Sequence, residues 1–114
     1  MTGKLTLSIY DDTHHQNAEG LEYDLWRVVD SNNRVNIKHD QITDQHSHLL
    51  VQANTLNDLG SFELVLFVKD YFERFNENLH TPDSRMVVPV GFNSLDEDNH
   101  LSIRITPTTV TCTL

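Results

Sequence analysis

Two-residue alternation runs through most of this chain, and a backbone that alternates in this way has few ways to bury its apolar side chains. Leu5, Leu7 and Ile9 alternate with Thr6, Ser8 and Tyr10. That period sends one set to one face of an extended strand and the other set to the opposite face. It returns at Leu21, Tyr23 and Leu25 against Glu22, Asp24 and Trp26, and again at Phe62, Leu64, Leu66 and Val68. Met86, Val88, Val90 and Phe92 repeat it, as do Leu101, Ile103 and Ile105. Turn formers separate the runs at residues 17–20, 30–33, 57–60 and 96–99. Weaker strands are expected at residues 35–42 and 48–52, and the β-branched tail at 108–113 reads as a last strand.

One segment departs from this period. Residues 69–76 space Tyr71, Phe72 and Phe75 at i, i+1 and i+4, which suits a short helix lying on a sheet edge. Asp70 is expected to cap its N-terminus. Pro89 lacks an N–H for a ladder, so its strand is expected at an edge or bulged there. Short strands separated by turns, with one brief helix, predict an all-β antiparallel sandwich of roughly seven or eight strands. Residues 1–114 read as a single domain of a size that can bury its own core.

Composition narrows the function classes. Hydrophobic residues make up 38% and charged residues 22%, an ordinary globular balance. The formal net charge is −9, from 17 acidic against 8 basic residues. This argues against nucleic acid or an anionic membrane surface as partner, since both require clustered Lys and Arg. No apolar run approaches the ~20 residues of a membrane span, and the first residues carry no stretch of signal-peptide type. Cys112 is the only cysteine, so an internal disulfide is excluded and a cytoplasmic, reducing setting is expected.

With strands, helix and turns placed, the chain resembles the 5-hydroxyisourate hydrolase branch of the transthyretin-like family. The resemblance rests on Leu5-Thr6-Leu7-Ser8-Ile9-Tyr10-Asp11 in the first strand and Gly20-Leu21-Glu22-Tyr23-Asp24-Leu25 in the second. It continues through residues 62–72, ending Asp70-Tyr71-Phe72, and through Val88-Pro89-Val90-Gly91-Phe92. It closes on His100-Leu101-Ser102-Ile103-Arg104-Ile105-Thr106-Pro107, so the match is ordered and nearly full-length. The resemblance implies a transthyretin-like β-sandwich and a homotetramer, a dimer of dimers around a central channel. Such an assembly covers exposed edge strands. It also implies a small-molecule substrate or ligand in the channel.

For the hydrolases the resemblance implies ring-opening of a cyclic ureide by water. A base activates the water, cations hold the anionic substrate, and donors meet the developing oxyanion. The family's site uses a first-strand His, an Arg in the third or fourth strand, a second His near the start of the penultimate strand, and a C-terminal Tyr-Arg-Gly-Ser. The second His corresponds to His100, the expected catalytic residue. The first His corresponds to Ser8, which offers only a hydroxyl, and the Arg falls near His48 in Gln45-His46-Ser47-His48. The terminal Tyr-Arg falls at Thr113-Leu114, where the sequence stops. Most of these elements are therefore altered, and efficient hydrolysis requires compensation. His100, Ser102 and Arg104 share one face of their strand, so Arg104 supplies a cation from a new position if that face lines the channel. The expected substrate contacts are thus Ser8, His48 and Arg104. Against these roles stand plainer ones: Arg104 paired with an acid at the surface, His100 as an ordinary histidine, and Ser8 on a solvated strand face.

No cofactor and no metal are expected. His46 and His48 form an H-x-H pair, but a third ligand would have to come from His14, His15, His39 or Asp44 through folding. Asp96-Glu97-Asp98 lacks the glycine and distal Glu of a calcium loop and reads as a solvated turn. Cys112 reads as a small filler at a subunit contact. Three functions stay open. One is a divergent hydrolase of 5-hydroxyisourate or a related cyclic ureide, part of purine catabolism. The second is a non-catalytic binding protein whose channel is lined by Thr6, Ser8, Thr108 and Val110. The third is an interaction domain without a ligand.

Overall fold

The computed structural model describes residues 3–43, 47–75, 85–93 and 95–113. Among them are nine strands: β1 (Gly3–Asp11), β2 (Gln16–Asn17), β3 (Glu22–Val28), β4 (Arg34–Gln41), β5 (His48–Ala53), β6 (Gly60–Leu66), β7 (Met86–Phe92), β8 (Asn99–Ile105) and β9 (Val110–Thr113). One helix, α1 (Val68–Glu73), follows β6 directly. Five strands form one sheet in the order β2-β1-β8-β9, with β5 also paired to β1; the other four run β4-β3-β6-β7. The architecture is the transthyretin-like β-sandwich that the sequence led us to expect. The strand beyond seven or eight is β2, whose two residues are too few to show a period.

Every strand pair but one is antiparallel. β1 and β8 run parallel, from Leu5 opposite Asn99 to Asp11 opposite Ile105. Alternation reports which face a residue takes and is silent on strand direction, so this one parallel pair within an otherwise antiparallel sandwich was not legible in the sequence. Between β1 and β8 the chain crosses to the second sheet twice, returning first as β5, antiparallel to β1, and then as β8, parallel to it.

The alternating apolar residues form the core. Leu5, Leu7 and Ile9 of β1 and Leu101, Ile103 and Ile105 of β8 face Tyr23, Leu25, Phe62, Leu64, Leu66 and Phe92 of the second sheet, all buried. Each such side chain contributes about 1.5–3 kcal/mol on removal from water. Pro89 sits on β7, an edge strand, opposite Glu63 in a register without a bulge. An edge tolerates the missing donor.

The helix differs from expectation at its start. Phe67 occupies the N-cap position and Asp70 falls in the first turn, without a capping hydrogen bond. Burial sets this frame, since Val68, Tyr71 and Phe72 must share the inward face at i, i+3 and i+4. Asp70 still favours the helix dipole from there. The expected helix end at Asn76 lies outside the described residues. Asp11 is the buried charge of this region. Its carboxylate accepts from the backbone N–H groups of Thr13 and His14, from His14 Nδ1 at 2.6 Å and from the Tyr71 hydroxyl at 2.7 Å. Burial, then the Asp11 bond, pushes the Tyr71 phenol up. Among the described residues no helix is long and apolar enough to cross a membrane.

Candidate active site

The outer face of the five-stranded sheet is where the polar half of the alternation collects. Burial of Leu5, Leu7, Ile9, Leu101, Ile103 and Ile105 forces Thr6, Ser8 and Tyr10, and His100, Ser102 and Arg104, to the opposite face. The parallel register sets Thr6 opposite His100, Ser8 opposite Ser102 and Tyr10 opposite Arg104. His100 thus leans between two hydroxyls of the neighbouring strand. Its Nδ1 lies 2.7 Å from Thr6 Oγ1 and its Nε2 lies 2.9 Å from Ser8 Oγ. Thr6 Oγ1 also donates to the Asn99 carbonyl at 3.4 Å.

Beside this cluster lies an open groove of about 480 Å³, lined by Ser8, Tyr10, Ser102, Ile103, Arg104 and Thr113. Arg104 is anchored, its Nε and Nη2 donating to Asp12 Oδ1 at 2.9 and 2.7 Å. Its guanidinium carbon stands 5.2 Å from the centre of the Tyr10 ring. The hydrogen bond to Asp12, and then that carboxylate's charge, hold the guanidinium above its ordinary pKa. Arg104 is therefore paired with an acid, the plainer of its two readings, and it also lines the same groove as Ser8. A larger depression of about 570 Å³ is lined by Gln16, Glu19, Gly20, Gln41, Ile42, Thr43 and Arg74. It shares no residue with the His100 cluster, whereas the smaller groove is lined by Ser8, the partner of His100 Nε2, and is the better chemical candidate.

Of the sequence-predicted site residues, His100, Ser8 and Arg104 come together and His48 does not. His48 pairs with Leu7 on the other side of β1, and directly opposite residues share a face. That is the inward side, where His48 Nε2 accepts from the Thr43 N–H at 3.3 Å. A register shift between Leu5 and Thr6 sets this frame and turns Leu49 outward instead. Spacing within His48's own segment carried no sign of the shift. Val110 is a second correction. It pairs with Ile105 and packs against the core, while Thr111 and Thr113 pair with Arg104 and Ser102 on the groove side. Thr6 holding His100, and Asp12 holding Arg104, were missed; the only signal for Thr6 was its even position on β1.

The remaining candidates are occupied elsewhere. His14 contacts Asp11 and stacks on Phe75 at 3.8 Å, and His39 bonds Asp24. Asp44, His46 and Leu114 lie outside the described residues. Among the described residues no group of three His, Cys, Asp or Glu could hold a metal ion. Asp96, Glu97 and Asp98 are exposed, and Asp98 accepts from the Lys4 backbone N–H at 3.0 Å. Cys112 pairs with Ile103, and partial burial pushes its thiol up, away from a reactive thiolate.

Comparison with known proteins follows the same lines. No family profile matches the sequence. A relative from Rhizobium meliloti (strain 1021), 5-hydroxyisourate hydrolase 2, is 27% identical over 103 residues, 90% of this chain and 85% of the relative. The crystal structure of (S)-allantoin synthase superposes with a TM-score of 0.86 at 15% identity over 98% of this chain. This chain spans only 43% of that protein's chain. Transthyretin from Sparus aurata superposes with a TM-score of 0.77 at 13% identity, covering 96% of this chain and 93% of its own. Sandwich and superpositions agree that the fold is transthyretin-like, and the sequence relative is a 5-hydroxyisourate hydrolase.

Proposed function

We propose that this protein hydrolyses 5-hydroxyisourate or a related cyclic ureide at the groove on the outer face of the five-stranded sheet. The observation that carries this is His100, held at both ring nitrogens by Thr6 and Ser8 beside a groove that also holds Arg104. A neutral imidazole fixed in this way is a general base with a defined direction of attack. Arg104 supplies positive charge for an anionic substrate or a developing oxyanion, and the Asp12 contact fixes where that charge sits. The named activity of the Rhizobium relative supports this substrate class. No cofactor enters the chemistry.

The proposal extends to assembly. β4 and β7 bound one sheet and β9 bounds the other, leaving unpaired ladder edges. Their pairing in a homotetramer would cover those edges and turn the open groove into part of a channel.

The test is a fresh-substrate assay in which 5-hydroxyisourate is generated from urate in the cuvette and its ultraviolet decay is followed. Wild-type protein is expected to accelerate the decay, and His100→Ala to lose about 10²–10⁴-fold of the acceleration. Decay no faster than in buffer overturns the proposal. The likeness to transthyretin, with the hydroxyl-bearing lining of the groove, favours a second reading, binding without turnover. That reading requires ligand-dependent thermal stabilisation and no product.

A further inference from the structure

A hydroxyl that merely decorates a solvated strand needs no particular partner, yet Ser8 is aimed at an oriented base. The orientation can be traced by proton accounting along the cluster. In the tautomer that arms Ser8, the Thr6 hydroxyl gives its single proton to the Asn99 carbonyl at 3.4 Å, which can only accept. Thr6 Oγ1 must then accept from His100, which places the imidazole proton on Nδ1. In the neutral ring Nε2 is left with a lone pair, and at 2.9 Å it accepts the Ser8 proton. The bonds run one way, from Ser8 through His100 and Thr6 to the Asn99 carbonyl.

This is the arrangement of a nucleophile, a base and a group that orients the base. Three strand positions create it, and the parallel register of β1 and β8 sets their spacing. Ser8 is half-buried but lines the groove, so a substrate carbonyl can reach its oxygen. Arg104 lines the same groove and offers charge to an oxyanion formed there.

The geometry points to Ser8 as a covalent nucleophile, with His100 as its base and Thr6 as a positioning residue, so that ring-opening passes through an ester on Ser8. This rests on the groove being a hydrolytic site for cyclic amides. Ser8 Oγ attacks the amide carbonyl carbon while His100 Nε2 takes its proton. The carbon–nitrogen bond then breaks, and His100 returns the proton to the departing ring nitrogen, leaving the opened acyl group on Ser8. Water attacks the ester as His100 takes a proton from it. The carbon–oxygen bond to Ser8 breaks and Ser8 recovers a proton. One water is consumed and nothing is oxidised or reduced.

The experiment is intact-protein mass spectrometry after exposure to p-nitrophenyl acetate and, separately, to a fluorophosphonate, with peptide mapping and the 5-hydroxyisourate assay run alongside. One acetyl or phosphonyl group on Ser8 is expected in the wild type, an observation that needs no variant to fold. His100→Ala is expected to slow labelling at least about 100-fold. Thr6→Val is expected to shift the pH profile of labelling, and Thr6→Ser to restore it. Label on Ser8 together with turnover lost in Ser8→Ala supports both the nucleophile and the hydrolytic groove. Label on Ser8 without 5-hydroxyisourate turnover keeps the nucleophile and sinks that substrate. Turnover that survives in Ser8→Ala but fails in His100→Ala overturns the nucleophile and leaves His100 activating water directly. Absence of label and of turnover overturns both.

Discussion

Thr6 and Ser8 lie two residues apart on β1, and that spacing lets one imidazole on the neighbouring strand reach both. Their outward direction was legible in the sequence, because each sits between buried apolar residues. Their meeting with His100 was not, since parity assigns a face and leaves the pairing partner open. Arg104 shows the same limit: its face was legible, whereas its clamp on Asp12 depends on where the turn after β1 passes. Tyr23 is a different case at this scale. It reads as a plain core residue, yet its buried hydroxyl has no hydrogen-bond partner among the described residues. Burial, and then the charge of Asp40, push its pKa up to about 12. A buried donor without a partner costs about 1–3 kcal/mol. Tyr23→Phe is accordingly expected to raise stability by about 1 kcal/mol in urea unfolding, with the midpoint moving up at constant slope. A fall of similar size would mean the hydroxyl is bonded in solution.

Among the elements, the strands were more legible than the helix boundary and the edges. β4 has exposed residues on both faces, including Val35 and Ile37, so its alternation carried little information. Its tie to β3 includes a cross-strand pair in which the His39 ring bonds Asp24. The Asp24 hydrogen bond is the main cause of a raised His39 pKa, reinforced by the charges of Asp24, Glu22 and Asp40 against some desolvation. A raised folded value means the protonated form is the one folding favours. Its stabilisation is present in full below the ordinary value of 6.5 and is lost as pH rises through the folded value. Nuclear magnetic resonance titration should place the His39 midpoint above 6.5, with Asp24→Asn bringing it back down. The same variant should flatten the pH dependence of stability in that window. A midpoint unmoved by Asp24→Asn would show that the pair does not form. The pair is exposed, so the effect on stability is small.

For the whole molecule, the proposed function sets the charge of −9 and the placement of Arg104 against each other, since the two would act on an anionic substrate in opposite directions. The acidic surface repels at long range, which salt screens, while Arg104 attracts only within the groove. Raising ionic strength from about 10 to 150 mM is therefore expected to increase kcat/KM for 5-hydroxyisourate a few-fold. A decrease would mean that the local cation governs encounter. The sequence by itself determined that these residues build a two-layer β-sandwich, which side chains enter its core and which stand outside, because alternation and burial are local properties of a strand. Only the tertiary structure decided that β1 and β8 run parallel, that Thr6 and Ser8 bracket His100, and that His48 turns to the inner side of its sheet. Register and strand direction arise from where the chain crosses between sheets and where β5 bulges, and contacts across about 90 residues of chain leave no periodic trace in either segment.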